Sequence, residues 1–260
     1  MYTTLEIEHR GSAAWLWMNK PEVHNAFDEV LITELTQALL TLDADPAVRA
    51  VVLAGRGKSF SAGADLGWMQ RQGAATLEAN VDDARQLAHL FRTLSCMATP
   101  TIARVHGAAL GGGMGLAAAC DICVASSKAQ FATSEVRFGI IPAAISPYVL
   151  RAIGERQAYR YFQTAERISA ERALALGLAH EVAAPEALDA TVQTLLDALQ
   201  AGGSGAQAAA TDLIRAVANR PVDDALVEDT AQRIARLRAT PEAREGLAAF
   251  LEKRAPSWVA

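Results

Sequence analysis

Residues 5–10 begin with alternating apolar and polar positions, and residues 13–18 are apolar throughout. The pair Gly11-Ser12 separates these two segments, so the pattern predicts a β-hairpin. In residues 28–43 the apolar positions recur at helical spacing instead, as they do in a helix with one buried face. The chain is therefore predicted to begin with a hairpin followed by a helix.

Strand-like apolar runs then alternate with helical segments. Strands are predicted at 50–55, 101–105, 122–125 and 130–132, and helices at 66–72, at 82–97 and from the glycines of 111–115 to residue 119. Such alternation is typical of an α/β core. After about residue 155 the pattern is helical, at 155–164, 170–176, 186–199, 205–218, 225–239 and 241–254. We therefore predict a core over residues 1–200 and a C-terminal helical region over residues 201–260, joined near the glycines of 202–205.

The composition is that of an ordinary globular protein, with 260 residues of which 51% are hydrophobic and 20% charged. A net charge of −5 gives no support for a nucleic-acid partner. The N-terminal residues lack the basic start and apolar core of a secretory signal. The longest uncharged apolar stretch, residues 105–120, is too short and too rich in glycine to span a membrane. We expect a cytoplasmic protein with no membrane partner.

The three cysteines are Cys96, Cys120 and Cys123. The last two have the spacing of a redox motif, but a single Cys-x-x-Cys within an apolar run is a weak signal. The expectation is that the cysteines are buried structural thiols in a reducing compartment.

The sequence V-H-G-A-A-L-G-G-G-M-G at 105–115 concentrates glycines between a predicted strand and a predicted helix. Its glycines do not have the spacing of the dinucleotide fingerprint. Gly57-Lys58-Ser59 lacks the earlier glycine of a phosphate loop, and no G-x-S-x-G nucleophile motif occurs. The histidines show no spacing typical of a metal site, so no metal is expected.

Two small-residue loops, 111–115 and 61–66, each follow a predicted strand and open a predicted helix. Backbone N–H groups at a helix start are unpaired and carry positive partial charge, which suits an oxygen that becomes negative during a reaction. Tight strand-to-helix packing for the first loop and an ordinary turn for the second are the alternatives.

Several motifs resemble those of the crotonase superfamily, the enoyl-CoA hydratase/isomerase family. They are N-K-P-E-V-H-N-A-F (19–27), F-S-A-G-A-D-L (60–66), the glycine-rich 105–115, C-D-I-C-V-A (120–125), S-E-V-R-F-G-I-I-P-A (134–143) and F-L-E-K-R-A-P (250–256). They occur in the family's order and extend over the whole chain. The resemblance implies a crotonase (ClpP-like) spiral of ββα units with a C-terminal helical trimerisation region, assembled as a homotrimer or a dimer of trimers.

The resemblance also assigns roles to residues. The backbone N–H groups of Ala64 and Gly112 would hold the oxygen of an acyl-CoA thioester. Coenzyme A, as part of the substrate rather than a separate cofactor, would lie along 23–27 and 62–66. The implied substrate-binding residues are Val23, Asn25, Ala26, Ala62, Asp65, Leu66, Gly67, Gly111, Pro142, and, from the C-terminal helix of a neighbouring subunit, Phe250 and Lys253.

In the family's two-glutamate hydratases one glutamate stands where this chain has Gly115. We expect this glycine to leave room beside the reacting carbons for a branched substrate. The second family glutamate corresponds to Glu135, whose apolar surroundings should raise its pKa and suit it to proton transfer. The alternative is a surface glutamate paired with Arg137.

The closest likeness within the family is to bacterial hydratases of methylglutaconyl-CoA or isohexenylglutaconyl-CoA. Residues 140–149 contain no carboxylate, which argues against a dienoyl isomerase. The expected activity is hydration of a branched enoyl-CoA with Glu135 alone, and the alternatives are a double-bond isomerase and an acyl-CoA-binding protein without turnover. Candidates for holding a distal carboxylate are Trp68, Arg137, Tyr148 and Arg151.

Overall fold

The computed structural model describes residues 2–259 of the chain. The predicted hairpin is present, because strands β1 (Leu5–Arg10) and β2 (Ala13–Met18) pair antiparallel. The helix that follows, α1 (Glu29–Ala44), begins where the side chain of Asp28 accepts a hydrogen bond from the Leu31 N–H. This capping bond satisfies one of the N–H groups that a helix start leaves free.

The other elements confirm an α/β protein. The remaining strands are β3 (Ala50–Gly55), β4 (Thr101–Val105), β5 (Ala108–Leu110), β6 (Ile122–Ser126), β7 (Gln130–Ala132), β8 (Ile168–Ser169) and β9 (Glu181–Ala183). The remaining helices are α2 (Leu66–Ala74), α3 (Leu77–Cys96), α4 (Gly112–Ala119), α5 (Ser146–Ile153), α6 (Glu155–Thr164), α7 (Ala170–Leu176), α8 (Leu188–Ala201), α9 (Ser204–Val217), α10 (Asp224–Arg238) and α11 (Pro241–Glu252). Single 3-10 turns lie at Pro21–Val23, Glu135–Phe138 and Pro185–Ala187.

The strands form two sheets. The larger has the order β1-β2-β3-β4-β6-β9 and is parallel except for the initial hairpin, and the smaller has the order β5-β7-β8. Successive strands alternate between the sheets: β4 and β6 lie in the larger, and β5 and β7 lie in the smaller. Because α4 follows β4 and β5, this stretch has the ββα order that the family resemblance implied.

The larger sheet is covered on both faces, as strand β2 shows. Its alternate residues Leu16 and Met18 belong to the main core, together with α1, α3 and α4. Trp15 and Trp17 point to the opposite face, where α8 covers the sheet. A strand buried on both faces explains why all six residues of β2 are buried.

The predicted boundaries are wrong in places. Helix α3 begins at Leu77 rather than at residue 82, because the Thr76 side chain caps it by accepting from the Ala79 N–H. Helix α5 was not predicted; it has Pro147 in its first turn, where proline is compatible with a helix. Strands β5, β8 and β9 are too short to show a clear alternation in the sequence.

The cysteine expectation is correct for two of the three residues. Cys120 and Cys123 are buried, and burial raises the pKa of the Cys123 thiol to about 12. Burial also raises the pKa of Cys120 well above its ordinary value. Cys96 is exposed, contrary to the expectation, because it is the last residue of α3.

The C-terminal helices bury little of themselves within one chain. None of the residues 204–217 of α9 is buried, and α10 and α11 bury only Leu226 and Ala249. The division at residues 1–200 and 201–260 stays a prediction. Within residues 2–259 no helix is both long and apolar enough to cross a membrane, and no three His, Cys, Asp or Glu residues are grouped to hold a metal ion.

Candidate active site

The two small-residue loops identified in the sequence lie against each other. The Ser61 N–H donates to the Ala108 carbonyl at 3.0 Å, and the Leu110 N–H donates back to the Ser61 carbonyl at 2.9 Å. The residue before Ser61 is bonded in the same way, because the Phe60 N–H donates to the His106 carbonyl at 2.9 Å. The loop at 61–66 therefore runs beside β5 like an extra strand, which holds the starts of α2 and α4 close together.

Glycines make this close approach possible. Gly63 and Gly111 have φ angles of +91° and +50°, in the region that side chains rarely adopt. A β-carbon on Gly63 would lie 3.0 Å from the Leu110 carbonyl oxygen, and one on Gly111 would lie 3.8 Å from the Gly63 Cα. Both positions thus favour glycine for backbone conformation, and Gly63 also for space.

The backbone N–H groups of Ala64 and Gly112 have no hydrogen-bond partner within residues 2–259. One neighbour of each is bonded, because the Asp65 N–H donates to the Phe27 carbonyl and the Gly111 N–H donates to the Ala132 carbonyl. Gly112 is the first residue of α4, where an N–H has no partner inside the helix. Both residues line one cavity, so their N–H groups are available to a bound oxygen.

Glu135 lies beside the same junction. Its Oε1 would be 3.2 Å from a β-carbon on Gly111, and its Oε2 is buried with no hydrogen-bond partner among the described residues. Removal from water raises the pKa of the Glu135 carboxyl above its ordinary value. The expected alternative, an ion pair with Arg137, is not formed, since the Arg137 guanidinium donates to the Ala165 carbonyl at 3.0 Å.

The cavity has a volume of about 330 Å³ and an apolar wall. The side chains that line it come from Phe27, α2, α3, β5 and the segment 134–145. They include Leu66, Trp68, Met69, Leu87, Leu110, Phe138, Ile140, Ile141, Pro142 and Ile145. Glu135 is the ionisable residue among the lining residues that the structure describes. The cavity thus combines a hydrocarbon surface with two N–H donors and one buried carboxyl.

The structure brings together seven of the predicted site residues on the wall of this cavity. They are Ala62, Ala64, Leu66, Gly111, Gly112, Glu135 and Pro142. The segment 23–27 lies directly beside 62–66, because the Ala62 N–H donates to the His24 carbonyl at 2.9 Å. The two segments assigned to coenzyme A are therefore neighbours.

The other predicted residues do not line the cavity within one chain. Val23, Ala26 and Gly67 lie in the segments that flank it, and Phe250 and Lys253 lie on or just after α11 with their side chains exposed. The Asp65 carboxylate accepts from the Trp68 N–H and caps α2.

The Asn25 side chain makes its hydrogen bonds within the protein, where a contact with the substrate was expected. Its side chain is fully buried, and its Nδ2 donates to the carbonyls of Arg56, Ser59 and Phe60 at 2.9, 2.9 and 3.1 Å. Its Oδ1 accepts from the Lys20 N–H. With its polar atoms bonded in this way, the Asn25 side chain holds the backbone of residues 56–60 in place.

The expectation that Gly115 leaves room for a branched substrate is wrong. A β-carbon there would lie 2.8 Å from the Ile145 Cβ, closer still to its Cγ2, and 2.9 Å from the Phe91 Cε1. Ile145 and Phe91 are both buried. The place of a second carboxylate is therefore filled with hydrocarbon.

The residues expected to hold a distal carboxylate make other contacts in the structure. Trp68 lines the cavity, but its indole N–H donates to Asp83 at 3.1 Å. The Arg151 guanidinium lies 5.8 Å from the centre of the Tyr148 ring, and the Tyr148 ring packs against Phe91. Arg137 is bonded to the Ala165 carbonyl, as described above.

Sequence reasoning missed several lining residues, above all Phe27, Leu87 and Ile145. Phe27 is the last residue of the motif at 19–27, and Ile145 lies two residues after the motif at 134–143. Leu87 lies in a helix whose apolar spacing marks a buried face. That spacing does not distinguish a core contact from a cavity wall, and no stronger signal was present.

Comparisons with known proteins identify the family of the chain. Residues 8–260 match the profile of the family described as Enoyl-CoA hydratase/isomerase. A crotonyl-CoA hydratase of Syntrophomonas wolfei is 33% identical over 267 aligned residues, covering 99% of this chain and 98% of the relative. The crystal structure of an enoyl-CoA hydratase from Shewanella pealeana is 41% identical, with a TM-score of 0.96 over 98% of this chain and 96% of that one. A structure assigned to the enoyl-CoA hydratase/isomerase family from Legionella pneumophila is 44% identical, with a TM-score of 0.93 over 98% of both chains.

Proposed function

The chain belongs to the enoyl-CoA hydratase/isomerase family and has the crotonase fold, and on this premise we propose that it adds water to a branched α,β-unsaturated acyl-CoA with Glu135 as its single proton-transfer carboxyl. The observation that carries the proposal is the buried, unpartnered Oε2 of Glu135 beside the unpaired N–H groups. Coenzyme A enters as part of the substrate, and the reaction needs no further cofactor.

The N–H groups of Ala64 and Gly112 would bind the thioester oxygen. As the water oxygen bonds to C3 of the acyl chain, electrons move through C2 and the carbonyl carbon onto that oxygen. The two N–H groups stabilise the negative charge of the resulting enolate. Donors of this kind typically contribute ~10²–10³ in rate each. The apolar wall of the cavity excludes bulk water and strengthens their effect.

Glu135 would handle the proton. Its carboxylate accepts a proton from the attacking water as the C–O bond forms, and its carboxyl then donates that proton to C2 of the enolate. The net change is the addition of one water across the double bond, with Glu135 regenerated. A carboxyl whose pKa is raised by burial is suited to both steps near neutral pH.

The cavity wall favours a neutral acyl group. No Lys or Arg among residues 2–259 lines it, so one chain offers no cation to the carboxylate of methylglutaconyl-CoA or isohexenylglutaconyl-CoA. An unpaired carboxylate in such a wall would lose hydration without compensation. We therefore place neutral enoyl-CoA esters ahead of these carboxylated ones.

One observation favours a second activity, double-bond isomerisation. Where the two-glutamate hydratases carry their other carboxylate, this chain has Gly115 packed against Ile145. A site with one carboxyl and no second group to hold water is also suited to moving a proton between two carbons of the substrate.

The third alternative is acyl-CoA binding without turnover.

A turnover screen separates these functions. Linear, branched and carboxylated enoyl-CoA esters are supplied, loss of enone absorbance is followed, and products are identified by mass. Hydration predicts a product heavier by one water; isomerisation predicts a product of unchanged mass; no change with any ester would overturn both.

Glu135→Gln tests the assigned carboxyl in the same assay. It should lower hydration by ~10⁴-fold or more, because general acid–base catalysis is lost. The matched change Glu155→Gln, on the surface at the start of α6, should leave the rate unchanged. Retention of more than about a tenth of the activity by Glu135→Gln would overturn the role of Glu135.

A further inference from the structure

Ile145 packs against Gly115 of α4 and also lines the cavity. It stands immediately before α5, is 3% exposed and lines the cavity. On its other side it occupies the space next to Gly115 so closely that a β-carbon on that glycine would overlap with it. The glycine and the isoleucine are therefore one packing unit that joins α4 to α5.

A second side chain, the completely buried Phe91, packs beside the Gly115 position. Its ring lies between Phe27, with ring centres 6.4 Å apart, and Tyr148, with ring centres 5.8 Å apart. Because densely packed interiors do not yield easily to added volume, a ligand in the cavity meets Ile145 as a fixed wall.

Helix geometry places this wall close to the reacting end of the substrate. Gly112 and Gly115 are three residues apart on α4, so they lie on one face of the helix and about one turn from each other. If the Gly112 N–H holds the thioester oxygen, the first carbons of the acyl chain leave from that point into the cavity. They pass the surface that Ile145 presents.

We propose that Ile145 is a specificity-determining residue that limits the width of the acyl group beside the thioester carbonyl. The inference rests on the proposed function for the position of the thioester, but it concerns which acyl groups fit and not the proton-transfer step. A single methylene in such a pocket changes discrimination by roughly 10–200-fold.

The test compares the same substitution inside and outside the cavity. Ile145→Val removes one methylene from the wall, and Ile153→Val makes the same change in a buried residue of α5 that does not line the cavity. Values of kcat/KM are measured for crotonyl-CoA and for 2-methylcrotonyl-CoA, which carries a branch beside the carbonyl. Ile145→Val should raise the branched-to-linear ratio at least ~10-fold, and Ile153→Val should leave it unchanged.

A binding measurement keeps this inference separate from the catalytic proposal. Butyryl-CoA and 2-methylbutyryl-CoA have no double bond to react, and their dissociation constants are obtained by calorimetry. If no enoyl-CoA is turned over, the hydration proposal fails, but a shift of the binding ratio in Ile145→Val alone still supports the role of Ile145. Unchanged ratios in Ile145→Val, or an equal shift in Ile153→Val, would overturn it.

Discussion

Phe27 and Ala64 form a parallel β-bridge outside the two sheets. The Phe27 N–H donates to the Gly63 carbonyl at 2.7 Å, and the Asp65 N–H donates to the Phe27 carbonyl at 2.9 Å. Because these bonds flank Ala64, its own N–H faces away from Phe27 and is unpaired within residues 2–259. The bridge thus orients one of the two donors assigned to the thioester oxygen.

Removal of the other donor should abolish most of the activity. Gly112→Pro deletes the N–H at the first position of α4, where a proline backbone is otherwise accepted. Turnover should fall at least ~10²-fold, while the affinity for free coenzyme A is largely kept.

Gly112→Ala is the matched control for that change. Either substitution adds a β-carbon about 3.0 Å from the Phe27 ring, but alanine retains the N–H. The alanine variant should therefore lose much less activity. Equal losses in steady-state kinetics would show that crowding against Phe27, and not the missing donor, is responsible.

Burial of Glu135 should make the free energy of unfolding depend on pH. Since burial raises its pKa in the folded protein above the ordinary 4.5, the protonated form favours folding, and this contribution is lost as pH rises through the raised pKa. Glu135→Gln remains neutral throughout. Its stability relative to wild type should therefore increase from pH 4 to pH 8 in denaturant titrations, and a constant difference would contradict the raised pKa.

The contact at Gly115 predicts an overpacking penalty. Gly115→Ala forces a β-carbon against Ile145 and Phe91 and should reduce the free energy of unfolding by ~1–3 kcal/mol. Gly115→Glu should be more destabilising than alanine. As a control, Gly73→Ala adds its β-carbon in open space on α2 and should stabilise by ~0.5–1 kcal/mol. A neutral Gly115→Ala in chemical denaturation would mean that Ile145 yields.

The buried amide of Asn25 should contribute to stability. Asn25→Ala leaves the carbonyls of Arg56, Ser59 and Phe60 without their donor, and should cost roughly 1–3 kcal/mol in the free energy of unfolding. Asn19→Ala, at an exposed asparagine just after β2, should change stability by less than about 0.5 kcal/mol. Similar stabilities of the two variants would argue against a structural role for Asn25.

The exposed apolar residues of the last helix predict self-association. Phe250 and Leu251 are 79% and 78% exposed in one chain. We expect a trimer or hexamer by light scattering, and a smaller species for Leu251→Asp, whereas Leu40→Asp on α1 should not alter the mass. A monomeric wild type at micromolar concentration would contradict both this assembly and the assignment of Phe250 and Lys253 to a neighbour's coenzyme A.

The sequence by itself determined the α/β class, the initial hairpin and most of the helices, and the resemblance of its motifs to a known family assigned Ala64, Gly112 and Glu135 to one candidate site. These features depend on short stretches of chain. The period of the apolar positions distinguishes strands from helices. A glycine with positive φ permits a turn, and the N–H at a helix start is unpaired wherever the helix occurs. Motifs that combine such local features can be recognised without the folded structure.

Only the tertiary structure decided what surrounds those residues. From the sequence, Gly115 was expected to leave empty space beside it, yet Ile145, thirty residues later, fills that space. Asn25 reads as a ligand-binding residue, yet its amide holds the loop at 56–60. Which side chains meet across a core depends on how α4, α5 and the loops pack, and that packing is set by the whole chain rather than by any window of sequence.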